Sequence, residues 1–161
     1  MKISLNWISD FVDLSGIDYA ELIKRFTLST AEVEDMYKVG ADVSGIIVAK
    51  VLTCKPHPES NHLHLLTVDT GKGVVDCVCG AKNVRENMLV AFAPVGSHVV
   101  GGEIKEATIA GYKSQGMCCS REELGLEEKS DGIWEIVDDL ALGTDLKSVY
   151  EIDDTIFEID N

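Results

Sequence analysis

Three of the chain's four histidines fall within residues 57–64, inside the stretch KPHPESNHLHLL. Imidazole near thiol is zinc chemistry, and Cys54, Cys77, Cys79, Cys118 and Cys119 are competent ligands beside His57, His62 and His64. In an extended strand His62 and His64 project to one face, as do Cys77 and Cys79. The spacing argues against a metal centre. There is no CxxC: one cysteine pair is adjacent and another is one residue apart, whereas paired zinc ligands usually stand two to four residues apart. The cysteine count of five is odd and no secretory signal precedes it, so no disulfide framework is expected. Buried cysteine packs as a small hydrophobe, and this is the simpler reading here. No metal ligand is assigned.

Other chemistry is equally thinly provided. A cysteine nucleophile needs a lowered thiol pKa and a nearby base, and nothing in the sequence marks Cys118 or Cys119 as having either. The paired carboxylates Asp138-Asp139 and Asp153-Asp154 sit in acidic runs of solvated character. P-loop, GxGxxG and GxSxG motifs are absent from the sequence. No catalytic residue is assigned, and the function expected is binding.

The elements that must position these residues change character along the chain. Leu5, Ile8, Phe11 and Val12 recur at helical spacing, with Ser4 placed to cap and Gly16 to stop the helix. Asp18 opens a second helix, with Glu21 completing a variant capping box and Leu22, Ile23 and Phe26 forming the apolar face. TLSTAEVEDMYKVG then alternates, anchored by Val33 and Met36. From residue 44, GIIVAKVLTC, HLHLLTVDTG, GVVDCVCG, LVAFAPVG and KEATIAGYKS are short β-rich runs separated by Gly, Pro or Asn. Five such strands predict a small closed barrel, because closure removes exposed edges. SREELGL predicts a short helix capped by Ser120 with Glu123, and GIWEIV one more strand. EIDDTIFEIDN ends the chain with Ile156, Phe157 and Ile159, too apolar for a free tail, and no later element stands to pair with it. A chain cut from a longer protein is the expectation. No stretch approaches the roughly 18 consecutive apolar residues of a membrane span, and the acid-interrupted N-terminus reads as that of a cytoplasmic protein.

The net charge of −14 opposes bulk capture of nucleic acid, but it is unevenly spread. Residues 44–121 carry a net of +2, residues 122–150 a net of −7, and both ends are acidic. A five-stranded barrel of this size points to the oligonucleotide/oligosaccharide-binding (OB) fold. With only Phe92 and Tyr112 as aromatics in residues 44–121, serial base stacking is poorly supplied. Recognition of backbone and shape through Lys50, Lys55, Lys82, Asn83, Arg85, Lys113, Ser114, Gln115 and Arg121 fits better.

Three stretches carry more: HPESNHLHLLTVDTG (57–71), VCGAKNV (78–84) and SQGMCCSREELGL (114–126). In this order they resemble the tRNA-binding OB module of bacterial phenylalanine–tRNA ligase β subunits and related tRNA-binding proteins. MKISLNWISDFVDL with STAEVED resembles the start of that subunit, and GTDLKSVYEIDDTIFEID the exit from its OB module. The resemblance implies an α+β chain. A helical and extended N-terminal segment, residues 1–40 with 151–161, would be an incomplete and discontinuous domain. An OB-fold five-stranded antiparallel barrel over residues 41–150 would be inserted in it. It further implies a tRNA partner, an α-subunit partner in an (αβ)2 heterotetramer, and a parent enzyme that uses ATP and magnesium outside this segment, which would itself be non-catalytic. The residues matched or grouped with these motifs as tRNA contacts are His57, Asn61, His62, Lys82, Asn83, Arg85, Lys113, Ser114, Gln115 and Arg121. Where the resembled motif reads HPxxDKL, this chain has Asn61 for Asp and His62 for Lys, and Lys82 stands where Pro is common. The rival reading is an architectural OB module with little or no tRNA contact. Gly80 and Gly116 would serve backbone geometry, and turn capping is the competing role for Asn83 and Ser114.

Overall fold

The structure, a computed structural model, describes residues 1–160. The chain divides into two compact units: residues 42–152, and residues 1–41 together with the chain from residue 153.

The larger unit follows the alternation in its sequence. Its strands are β3 (Ile47–Pro56), β4 (His64–Asp69), β5 (Val74–Cys79), β6 (Leu89–Pro94), β7 (His98–Val99), β8 (Gly102–Glu103), β9 (Ala107–Ile109), β10 (Tyr112–Ser114) and β11 (Gly116–Cys118). Five of them form an antiparallel sheet in the order β11-β6-β3-β4-β5, curled into a nearly closed OB-fold barrel. Paired residues share a face, so the rows Val51–Val68–Val75 and Cys54–Leu66–Cys77 turn inward, onto a core that includes Phe92 and Cys118. A bulge between Val51 and Thr53 re-aims the end of β3. Val48 and Ala49, and all of Val90–Ala93, are buried, because β3 and β6 are covered on both faces. The second cover is a layer of Cys119, Leu124, Ile136, Leu146 and Ile152.

Two expected strands resolve differently. KEATIAGYKS does not supply the fifth barrel strand; it folds into the β9–β10 hairpin, and Gly116–Cys118 is the fifth strand. The hairpin turn at Ala110 (φ 48°) and Gly111 (φ 85°) has both central residues left-handed, which matches the twist of the strands it joins. GIWEIV forms a single bridge, Val90 to Glu135, rather than a strand. SREELGL is a turn, although Ser120 and Glu123 do make the reciprocal cap: Ser120 N–H donates to the Glu123 carboxylate and Glu123 N–H donates to Ser120 Oγ at 3.3 Å.

The smaller unit contains β1 (Lys2–Ser4), α1 (Leu5–Ser9), α2 (Tyr19–Ser29), β2 (Val33–Val39) and β12 (Asp154–Ile159). Ser4 caps α1 by accepting from Trp7 N–H at 3.1 Å, but α1 ends well before Gly16, leaving Phe11 and Val12 exposed. Asp18 caps α2 through Ala20 N–H at 2.9 Å, while Glu21 turns to Arg25 at 2.9 Å instead of back to the cap. Leu22, Ile23 and Phe26 are the half-buried face of α2; Met36 is exposed. The apolar segment 154–159 pairs within the described residues. β12 lies between β1 and β2, antiparallel to both, and buries Phe157 and Ile159. The Met1 ammonium donates to Ile159 O at 2.8 Å. Among the described residues no helix is long and apolar enough to cross a membrane.

Candidate nucleic-acid interface

The outward rows of β3, β4 and β5 are Thr53–Thr67–Asp76 and Lys55–Leu65–Val78. With Gly111, Tyr112 and Lys113 of the hairpin they line a groove of about 390 Å³. Thr53 and Thr67 share a hydrogen bond at 2.7 Å. Lys55, Lys113 and Tyr112 line this groove with the carboxylate of Asp76, and Lys113 is also ion-paired with Glu106. Phe92 is fully buried, so of the two aromatics in residues 44–121 only Tyr112, 40% exposed, presents a ring. Phosphate binding to the lysines and one stacked base on Tyr112 is the chemistry the groove can perform.

His57 explains how that ring is held. It is 4% exposed, accepts from Glu59 N–H at Nδ1 (3.0 Å) and donates from Nε2 to Ala110 O (2.9 Å). That arrangement fixes one neutral tautomer. The imidazole meets the Tyr112 ring edge-on at 5.0 Å. His57 therefore joins the 57–63 loop to the hairpin and is a positioning residue, not an exposed contact.

The remaining predicted residues separate into three groups. Asn61, His62 and Lys82 are exposed, with His62 Nδ1 3.2 Å from Ser60 Oγ. Arg85, Lys113 and Arg121 are exposed but paired: Arg85 binds Glu135 in a bidentate ion pair, Lys113 meets Glu106 at 3.3 Å, and Arg121 meets Glu127 at 3.3 Å. Arg121 also lies over the Trp134 ring at 5.1 Å. Arg85 lowers the pKa of Glu135; Ser130, then Arg121, does the same for Glu127. Asn83, Ser114 and Gln115 are committed within the fold. Asn83 brackets Ile133, donating to its carbonyl at 2.8 Å and accepting from its N–H at 3.0 Å. Ser114 is buried, accepts from Val78 N–H and donates to Gly116 O, both at 3.1 Å. Gln115 N–H donates to Asp76 O at 2.7 Å. Sequence reasoning assigned no contact role to Tyr112 or Thr53 and left Lys55 among scattered charges. Alternation along 53–56 was the available signal, since it puts Thr53 and Lys55 on one face.

A second groove, of about 580 Å³, is lined by Cys79 and Cys118 at its base, with Glu103, Glu122, Glu123 and Asp131 against a lone Lys105. Its acidity is unsuited to phosphate. Among the described residues, no group of three or more His, Cys, Asp or Glu side chains is placed to hold a metal ion.

The family model described as "Putative tRNA binding domain" matches residues 46–145, which is most of the barrel unit. The phenylalanine–tRNA ligase beta subunit of Legionella pneumophila (strain Lens) is 41% identical over 162 residues, covering 99% of this chain and 20% of the relative. That of Protochlamydia amoebophila (strain UWE25) is 39% identical over 163 residues, and that of Hahella chejuensis (strain KCTC 2396) 38% over 161 residues, with the same coverage. The chain spans about a fifth of the length of these relatives. Their similarity extends beyond the barrel to both flanks of the discontinuous unit. By its barrel, its motifs and the matched residues, the chain belongs to the tRNA-binding domain family and is homologous to the N-terminal region of phenylalanine–tRNA ligase beta subunits.

Proposed function

We propose that this chain is the tRNA-contacting portion of a bacterial phenylalanine–tRNA ligase β subunit, acting beside an α subunit in an (αβ)2 enzyme of the cytoplasm, and that the segment itself carries no catalytic step. The observation that carries the reading is the groove on β3–β5, which Lys55, Lys113 and Tyr112 line together. The ion pairs of Arg85, Lys113 and Arg121 are solvent-exposed, so a phosphate can replace their carboxylate partners at little cost. In this reading ATP and magnesium act in other parts of the ligase. The residues here do not fit the nucleotide: the larger groove sets four carboxylates against one lysine.

The test is a titration of the chain with tRNA across a salt series. The expected slope of log affinity against log salt corresponds to about two to four phosphates, at roughly 0.7–0.9 per phosphate. Lys55→Ala, Lys113→Ala and Lys82→Ala should each weaken binding and reduce the slope by about one, while Lys72→Ala, in the β4–β5 turn, should not. Absence of binding at low salt would favour the architectural role, for which the net charge of −14 is the supporting observation.

A further inference from the structure

Three of the five cysteines meet where the barrel wall has no strand ladder. β5 and β11 end the five-strand order and run in the same direction, each being an even number of antiparallel steps from the other. Isolated bonds hold this seam. Gln115 N–H reaches Asp76 O at 2.7 Å, and Cys77 S–H reaches Gly116 O at 3.5 Å, both across an offset of 39 residues. The same offset puts Cys118 level with Cys79. Cys77, Cys79 and Cys118 belong to one buried cluster, and the Cys118 thiol lies near enough to the other two to perturb their ionisation. Cys77, at 1% exposure, is sealed in the core. Cys79, at 7%, lines the 580 Å³ groove together with Cys118.

We propose that Cys79 and Cys118 are a peroxide-sensitive dithiol that closes to a disulfide across the seam between β5 and β11. In the first step the Cys79 thiolate attacks one oxygen of hydrogen peroxide. The O–O bond breaks, hydroxide leaves, and Cys79 becomes a sulfenic acid. In the second, Cys118 sulfur attacks Cys79 sulfur. The S–O bond breaks, and the departing hydroxide takes the Cys118 proton as water. Two thiols are oxidised by two electrons, and one peroxide is reduced to two waters. The local electrostatics suit this division of roles. The neighbouring Cys118 thiol draws the Cys79 pKa down to about 7, while Cys118, beside Cys77 and Cys79 and buried, is held well above the usual thiol value. The buried Cys119 is also pushed up and lies in the other core layer, outside the pair.

The test treats the folded, reduced chain with hydrogen peroxide, then unfolds it and alkylates the remaining thiols. Alkylation should fall from five cysteines to three, the mass should fall by two hydrogens, and peptide mapping should join Cys79 to Cys118. Dithiothreitol should restore all five. The rate should rise with pH through about 7 as Cys79 ionises. Cys118→Ser should instead accumulate a sulfenic acid on Cys79 that dimedone traps, and Cys77→Ser should leave the bridge intact. Five alkylatable thiols after treatment of wild type, or a bridge mapping to any other pair, would overturn the proposal. The wild-type mapping decides it even where a variant fails to fold.

Discussion

Asn83 illustrates how a polar side chain of a sequence motif can be engaged by the protein's own main chain. Its amide satisfies both main-chain groups of the buried Ile133. Asn83→Ala leaves that N–H and C=O without partners, so the expected loss is about 1–3 kcal/mol of stability in urea unfolding, with an unchanged salt slope for tRNA. A contact residue would show the opposite pattern. Glu135 and Glu127 lend themselves to a pH test. Their folded pKa values are lowered below the ordinary 4.5, so the stabilisation they contribute is present above 4.5 and is lost as pH falls through the folded values. Acidification should release Arg85 and Arg121, and the emission of Trp134, which lies under Arg121, should change in that window and not between pH 5 and 7. Residue types and charges were legible in the sequence at this scale. Partners were not: Arg85 meets Glu135 across 50 residues, and only the fold shows that Asn83 is bonded to the main chain of Ile133 and that Ser114 is buried.

At the scale of elements, short β-rich runs between Gly, Pro and Asn located the first four barrel strands, whether the strand alternates, as β4 does, or is buried on both faces, as β6 is. The same signal misassigned the fifth, since the hairpin and β11 present equally short β-rich runs and differ only in which one β6 pairs with. The Ser120–Glu123 cap formed without a helix because local capping chemistry requires only a turn. The two motif glycines also part company. Gly116 has φ 137°, and a Cβ there would stand 2.4 Å from Phe92 Cζ and 2.7 Å from Ala93 O. Gly80 lacks a positive φ, and its nearest neighbour would be Leu63 Cδ2 at 3.5 Å. Gly116→Ala should therefore cost about 2–4 kcal/mol through combined strain and overpacking. Gly80→Ala should lie within about 0.5 kcal/mol of wild type. Thermal unfolding of the two variants side by side checks the contrast.

At the scale of the whole molecule, the charge balance and the motifs pull in different directions, and the proposed tRNA contact at the groove on β3–β5 would reconcile them. The acids lie mainly in residues 122–150 and in the flanking unit, which leaves the sheet face and hairpin their cations. That the final segment is too apolar for a free tail was legible in the sequence; its pairing was not, because a central strand and a tail awaiting later elements have the same composition. The order β1-β12-β2 also sets a timetable for synthesis. The middle strand is the last one made, so β1 and β2 emerge from the ribosome with nothing between them. At 5–20 residues per second the interval from Val39 to Asp154 is on the order of ten seconds. The barrel needs no residue outside 42–152 for its own pairing, so it can fold during that wait. Of the two units, the one whose first strands are made earlier is thus the later to pair them, and its two waiting strands offer open edges to chaperones, or to neighbouring nascent chains, until β12 arrives.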